Sequence, residues 1–297
     1  MSLVFQLRDR EGGGFFCSLW KLTSNVLYAK KNNLKFFIDD KSWMFAHTLG
    51  WRDYFTSLQL VSEHETIPQP IHDECRVNDS RLYQFVLDEY LNTCKEIYKL
   101  NDSMEVLYKK QRDMLPAIYH AIMIRRGDKM VEESMYIETQ KYIETLLDKG
   151  HYDIFVQTDD YTAFEEVYNY CKIHYPHINV KTTCPSTKRG AFMFTYRPSA
   201  GSHVSEQNNS YLLQLSNISQ KSVDSYSRDE MREHVEEMLV GLQICMNSEY
   251  LCTDFQSNVT RYLFCCHKYP DHVLSIDSPL PPSDSVLLCP AIGFITN

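Results

Sequence analysis

The run Ile122-Met123-Ile124 stops abruptly at Arg125-Arg126-Gly127-Asp128-Lys129, with Glu132-Glu133 just beyond it. An apolar run closed by charge reads as a buried strand, and open α/β sheets bind their ligands outside the carboxyl ends of such strands. Arginine offers a rigid fork of donors suited to phosphate or carboxylate, and lysine adds a compact positive charge on a flexible stem. The segment therefore points to an anionic ligand. Gly127 allows a sharp turn and close backbone approach, so N–H groups beyond it could supplement the arginines. Read alone, the segment fits equally well a surface turn in which Arg126, Asp128, Lys129 and Glu133 form ordinary ion pairs.

Working outward, a β-α pattern repeats on the carboxyl side. Strands are expected at 117–124, 153–156, 178–181, 250–252 and 273–276, with helices at 134–147, 161–174, 228–246 and 257–267. Apolar strands alternating with helices predict a Rossmann-like domain with a parallel sheet. The amino-terminal half is less regular. It opens with a strand at 3–7, the glycines Gly12-Gly13-Gly14, a helix from Cys17 to Lys31 and a strand at 34–38 closed by Asp39-Asp40. The segment 43–70 reads as mixed helix and loop, and 81–100 as a helix with Leu82, Phe85, Val86, Tyr90 and Leu91 on one face. Two α/β domains are expected, 1–115 and 116–297, with the last residues returning to the first domain.

Composition narrows the function classes. With 297 residues, 43% hydrophobic and only 10 glycines and 11 prolines, the chain suits substantial cores rather than disorder. A net charge of −9 gives no electrostatic footprint for nucleic acid. No apolar run approaches the roughly 20 residues needed to cross a bilayer, and Arg8-Asp9-Arg10 interrupts the amino terminus where a signal peptide would have its apolar core. Ten cysteines are scattered without a C-x-x-C pair, which suits reduced thiols and a cytoplasmic or other soluble intracellular protein. Five N-x-S/T patterns add little for secretion, because Asn258 opens a helix inside an apolar segment.

Three further places hold chemistry. Gly12-Gly13-Gly14 before a helix could cradle phosphate or form a plain tight turn; the stretch matches neither G-x-G-x-x-G nor a Walker loop. In Gln157-Thr158-Asp159-Asp160, at a strand end, Thr158 or an aspartate could cap the following helix; the aspartates could instead bind sugar or hold Arg125 or Arg126. The chain has no D-x-D, which disfavours a sugar-nucleotide enzyme using a divalent ion through that motif. Thr253-Asp254-Phe255-Gln256-Ser257-Asn258 opens another helix, whose N–H groups and hydroxyls could take phosphoryl oxygens as well as cap. Between Cys184 and Gln220 a polar stretch carrying Lys188, Arg189 and Arg197 reads as either a surface loop or an acceptor-binding loop.

As a set, Gly12 to Leu19, Arg125 to Lys129, Thr158 to Asp160 and Leu251 to Arg261 resemble the metal-independent fucosyltransferases that act on N-glycan cores and chitin-like oligosaccharides, and more distantly the protein O-fucosyltransferases. The resemblance implies a GT-B fold, two Rossmann-like α/β domains facing a cleft, with GDP-fucose held mainly by the carboxyl-terminal domain. It implies inversion at the anomeric carbon, an oligosaccharide acceptor, and no metal or other cofactor beyond the GDP-sugar co-substrate. Carried over by position, Arg125 is the principal diphosphate arginine and Arg126 its neighbour. Lys129 and Glu133 engage the acceptor hydroxyl, with Glu133 as general base, and Asp128, Asp159 and Asp160 support the cleft. Gly12, Gly13, Gly14 and the turn Asp254, Phe255, Gln256, Ser257 and Asn258 bind the donor. The chain departs from the family at Met123, where a histidine is usual, and near Gly241, where an aspartate recognises guanine. A GDP-rhamnose or other GDP-deoxyhexose transferase, or an inactive glycan-binding protein on the same scaffold, are the alternative expectations.

Overall fold

The computed structural model describes residues 2–7, 15–64, 70–72, 84–126, 136–190, 223–255, 257–278, 280 and 286–288. The chain divides into two compact units, Met1–Glu105 with Pro279–Asn297, and Val106–Ser278. The division falls earlier than the boundary at 115/116 read from the sequence.

The first unit is built on β1 (Ser2–Gln6), α1 (Phe15–Lys31) and β2 (Lys35–Asp39), a strand-helix-strand crossover whose two strands run parallel. β3 (Gln59–Leu60) and β4 (Pro70–His72) extend the sheet to the order β3-β2-β1-β4. Both lie in or beside the segment read as helix and loop. They are too short for an alternating pattern to register. Aromatic packing fills the space beside the sheet, with Trp43, Trp51, Tyr54 and Phe55 buried and Trp51 4.4 Å from Phe55 between ring centroids. The Asp40 carboxylate accepts the Trp51 N–H at 2.7 Å. Gly50, at φ +63°, presses so close to Asp40 that a Cβ would lie 1.9 Å from its Oδ2. Only glycine fits there.

The expected helix at 81–100 is shorter and begins later. Gln84–Val86 is a strand, β5, pairing antiparallel with β11 (Val286–Leu288), and the helix α2 covers Leu87–Ile97. Phe85 and Val86, taken as part of a helical stripe, are strand residues. α3 (Asp102–Arg112) was not expected at all; Met104 is its one buried residue, so it carries almost no apolar stripe.

The second unit holds β6 (His120–Ile124), α4 (Thr139–Leu147), β7 (Ile154–Thr158), α5 (Tyr161–His174), β8 (Val180–Lys181), α6 (Arg228–Met246), β9 (Leu251–Thr253), α7 (Asn258–Cys266) and β10 (Val273–Ser275). Every strand pairing is parallel, in the order β8-β7-β6-β9-β10. Numbered within the unit this is 3-2-1-4-5, the doubly wound order. One face packs Ile122, Ile124, Ile154 and Val156 against Tyr142, Ile143 and Leu146 of α4 and Ala163 and Val167 of α5. α6 covers β6 and β7 on the other face. Every residue of β6 is buried, and after His120 it holds only apolar side chains, which is why 121–124 reads as an unbroken apolar run.

Candidate functional site

In a doubly wound sheet the crevice opens where the strand order reverses, between the first strand and the fourth. Here that point lies between β6 and β9, which pair in register from Ala121↔Leu251 to Met123↔Thr253. Their carboxyl ends deliver Arg125 and Arg126 on one side and Asp254, Phe255 and Ser257 on the other. The parallel register, not sequence proximity, brings these two groups to one sheet edge.

Arg125 is 17% exposed at its side chain and forms an ion pair through Nη1 with Asp159 Oδ2. The same guanidinium donates to the Arg126 carbonyl at 3.2 Å, while the Arg126 N–H donates to Asp159 Oδ1 at 2.8 Å. One carboxylate from the end of β7 thus fixes both the arginine and the turn that carries it. Arg126 points elsewhere. Its guanidinium is buried, pairs with Glu166 of α5 at 3.1 Å and lies 4.1 Å over the Tyr136 ring.

Asp160 is fully buried and caps α5, its Oδ1 accepting the Thr162 N–H at 2.9 Å and the Thr162 hydroxyl at 2.8 Å. Asp254 is buried, and the Tyr142 hydroxyl donates to its Oδ2 at 3.0 Å. Burial, then the adjacent carboxylate, pushes the Tyr142 phenol well above its ordinary pKa. The Phe255 N–H donates to Asp277 Oδ1 at 2.9 Å, which ties the turn after β9 to the end of β10. Ser257 stands at the N-cap of α7 but its hydroxyl does not cap the first turn. Asn258 begins that helix and accepts from Arg261 at 3.5 Å. Gly12, Gly13, Gly14, Asp128, Lys129, Glu133 and Gln256 lie outside the described residues, as do residues 191–222, which include Arg197 and most of the polar stretch read from Cys184 to Gln220.

Sequence reasoning missed His234, which feels the charge of Arg125, and the partner of Lys188. Lys188, read above as part of a surface or acceptor-binding loop, pairs with Glu237 of α6 at 2.7 Å. His234, one turn earlier on α6, is held neutral: burial, and then the charges of Lys188 and Arg125, bring its pKa down to about 3. Lys188 was the available signal, but its partner Glu237 on α6 follows only from packing.

No family model and no curated protein matches the chain in sequence. In three dimensions the chain is similar to the alpha-1,6-fucosyltransferase NodZ in a crystal soaked with GDP-fucose. The two share 12% identity over 89% of this chain and 92% of that one, with a TM-score of 0.51. It is also similar to POFUT1 in complex with GDP-fucose, at 9% identity over 92% of this chain and 97% of that one, with a TM-score of 0.52. The fold is α/β of the GT-B type, as the resemblance in sequence implied. Among the described residues no helix is long and apolar enough to cross a membrane.

Proposed function

We propose that the protein is an inverting, metal-independent glycosyltransferase that moves fucose from GDP-fucose to a hydroxyl of an oligosaccharide. The observation that carries this reading is Arg125 at the switch point of a 3-2-1-4-5 sheet, in a chain whose fold is similar to fucosyltransferases determined with GDP-fucose. Inverting transfer needs charge stabilisation on the departing diphosphate and removal of the acceptor proton on the opposite face. Arg125 serves the first need, together with the N–H groups opening α7 after Ser257. Arg126, buried against Glu166 and Tyr136, anchors the turn rather than meeting the diphosphate. Glu133 serves as general base with Lys129 holding it ionised, and Gly12, Gly13 and Gly14 add backbone contacts to the donor. The free thiols among the described residues fit a cytosolic site of action.

Calorimetry with GDP, ADP, UDP and their sugars tests the donor. GDP binding is expected, and none at millimolar concentration ends the assignment. Activity should survive EDTA; a complete loss reversed by magnesium overturns the metal-free mechanism. Faster hydrolysis of GDP-rhamnose than of GDP-fucose would move the donor to that sugar. Met123 and Gly241, where the related enzymes carry a histidine and an aspartate, favour a second reading, a glycan-binding protein without transfer. GDP release that acceptor accelerates excludes it.

A further inference from the structure

The turns that lead into β7 and β8 each carry a histidine. His151 stands three residues before Ile154, which opens β7, and His177 three residues before Val180, which opens β8. The two strands are parallel neighbours with Ile154 paired to Val180, so the equal spacing brings both imidazoles to one place at the amino edge of the sheet. His151 Nδ1 and His177 Nε2 are 3.4 Å apart, and the ring planes differ by only 13°. The ring centroids lie 5.5 Å apart, so each nitrogen sits on the side of its ring that faces the other.

Hydrogen bonds from N–H groups centre on about 2.9–3.0 Å, so 3.4 Å is long for a bond between the two rings. Two imidazole nitrogens held at about 2.0–2.1 Å by one tetrahedral cation stand about 3.3–3.4 Å from each other, a spacing this pair already has. The turns that carry the rings are tied together. Asn179 donates its N–H and its Nδ2 to Asp153 Oδ1 at 3.2 and 3.1 Å, Nδ2 also reaches Oδ2 at 3.2 Å, and the Ile154 N–H donates to the Asn179 carbonyl at 2.9 Å. The imidazoles are thus positioned before any ligand arrives, which leaves little ordering for the ligand to impose. Both histidines are exposed, so a hydrated ion can reach them.

We propose that His151 and His177 bind a zinc-like transition cation as a two-histidine clip between the turns that enter β7 and β8. Imidazole suits such ions, whereas magnesium and calcium prefer oxygen ligands. Among the described residues no third histidine, cysteine or carboxylate completes a metal-binding group, so water fills the remaining positions. β8 is an edge strand of two residues, and the clip fastens its entry to the longer strand beside it. Arg125 stands at the opposite, carboxyl edge of the same sheet, so the cation takes no part in transfer, and the inference holds whether or not the proposed function does.

Titration calorimetry with zinc chloride, on protein stripped with EDTA and then freed of it, tests the assignment. The parent should bind zinc with a Kd of about 0.1 mM or tighter. His151→Gln and His177→Gln should each weaken that site by about tenfold or more, and magnesium or calcium at the same concentration should not bind there. Zinc should also raise the melting temperature of the parent by about 2 °C or more and leave that of both variants unmoved. Melts in EDTA confirm that the variants fold, since both positions are exposed. Absence of zinc binding to the parent at about 1 mM overturns the inference. Zinc affinity and stoichiometry that both variants keep in full overturn it as well, by moving the ion to other residues. Neither result bears on GDP binding, which tests the proposed function separately.

Discussion

At the scale of single residues, the proposed function turns on Arg125, which Asp159 holds by an ion pair. A buried charge-assisted contact to a diphosphate is worth about 1.5–3 kcal/mol. Arg125→Ala should accordingly reduce turnover by about one to two orders of magnitude, measured as transfer at saturating acceptor. Arg125→Lys should recover only part of this, because the fork that also meets the Arg126 carbonyl is lost. Near-normal activity and GDP affinity in the alanine variant would reduce the pair with Asp159 to a plain structural contact. The general base is the sequence's own proposal. Glu133→Gln should preserve GDP affinity while lowering transfer, and Glu132→Gln should do little. The reverse result moves the base by one residue, and normal transfer in both removes it from the segment. Arg125 was legible because its charge interrupts an apolar strand; the role of Arg126 was not, because Glu166 and Tyr136 reach it only through tertiary packing.

Among elements, two helices of the second unit, α5 and α6, are pinned at their amino ends by side chains the sequence advertises. Asp160 accepts two hydrogen bonds at the start of α5, and Ser227 with Glu230 forms a capping box at the start of α6. Losing such a cap costs about 1 kcal/mol. Asp160→Ala should lower the denaturant midpoint of the protein by a corresponding amount, whereas Asp160→Asn, an equally good cap, should stay close to the parent. Equal losses in both variants would mean that the carboxylate charge, rather than the cap, is what matters. Elements with strong patterns were readable: β6, β7, α5, α6 and β9 fall where periodicity and charge put them. Those with weak patterns were not. β3 has two residues, β4 and β5 three each, and α3 buries only Met104. No local pattern marks the packing of Gly241 on Gln157 either, where an added Cβ would lie 1.8 Å from Oε1, since it needs α6 to be laid across β7 first.

For the whole molecule, acidity is the lever that the site itself predicts. His234 has its folded pKa depressed to about 3 from an ordinary 6.5, chiefly by burial and then by Lys188 and Arg125. A depressed pKa contributes stability that is fully present above the unfolded value and is lost as pH falls through the folded one. Stability should therefore decline as pH drops from about 6.5 towards 3, a window set by those two values. His234→Gln, which cannot charge, should flatten the melting temperature across that window. An unaltered slope would show that other groups govern the decline. The parallel sheet that builds the crevice also constrains how the chain can reach its native state. β6 is a central strand whose neighbour on one side, β9, is synthesised more than a hundred residues later, and the pair Ala121↔Leu251 closes only once both exist. Contacts so distant in sequence are slow to form, and an unpaired apolar strand is prone to aggregate while it waits. During synthesis, Ala121, Ile122 and Met123 must stay unpaired on that edge until Leu251 to Thr253 leave the ribosome, so the strand that delivers Arg125 depends on chaperone cover.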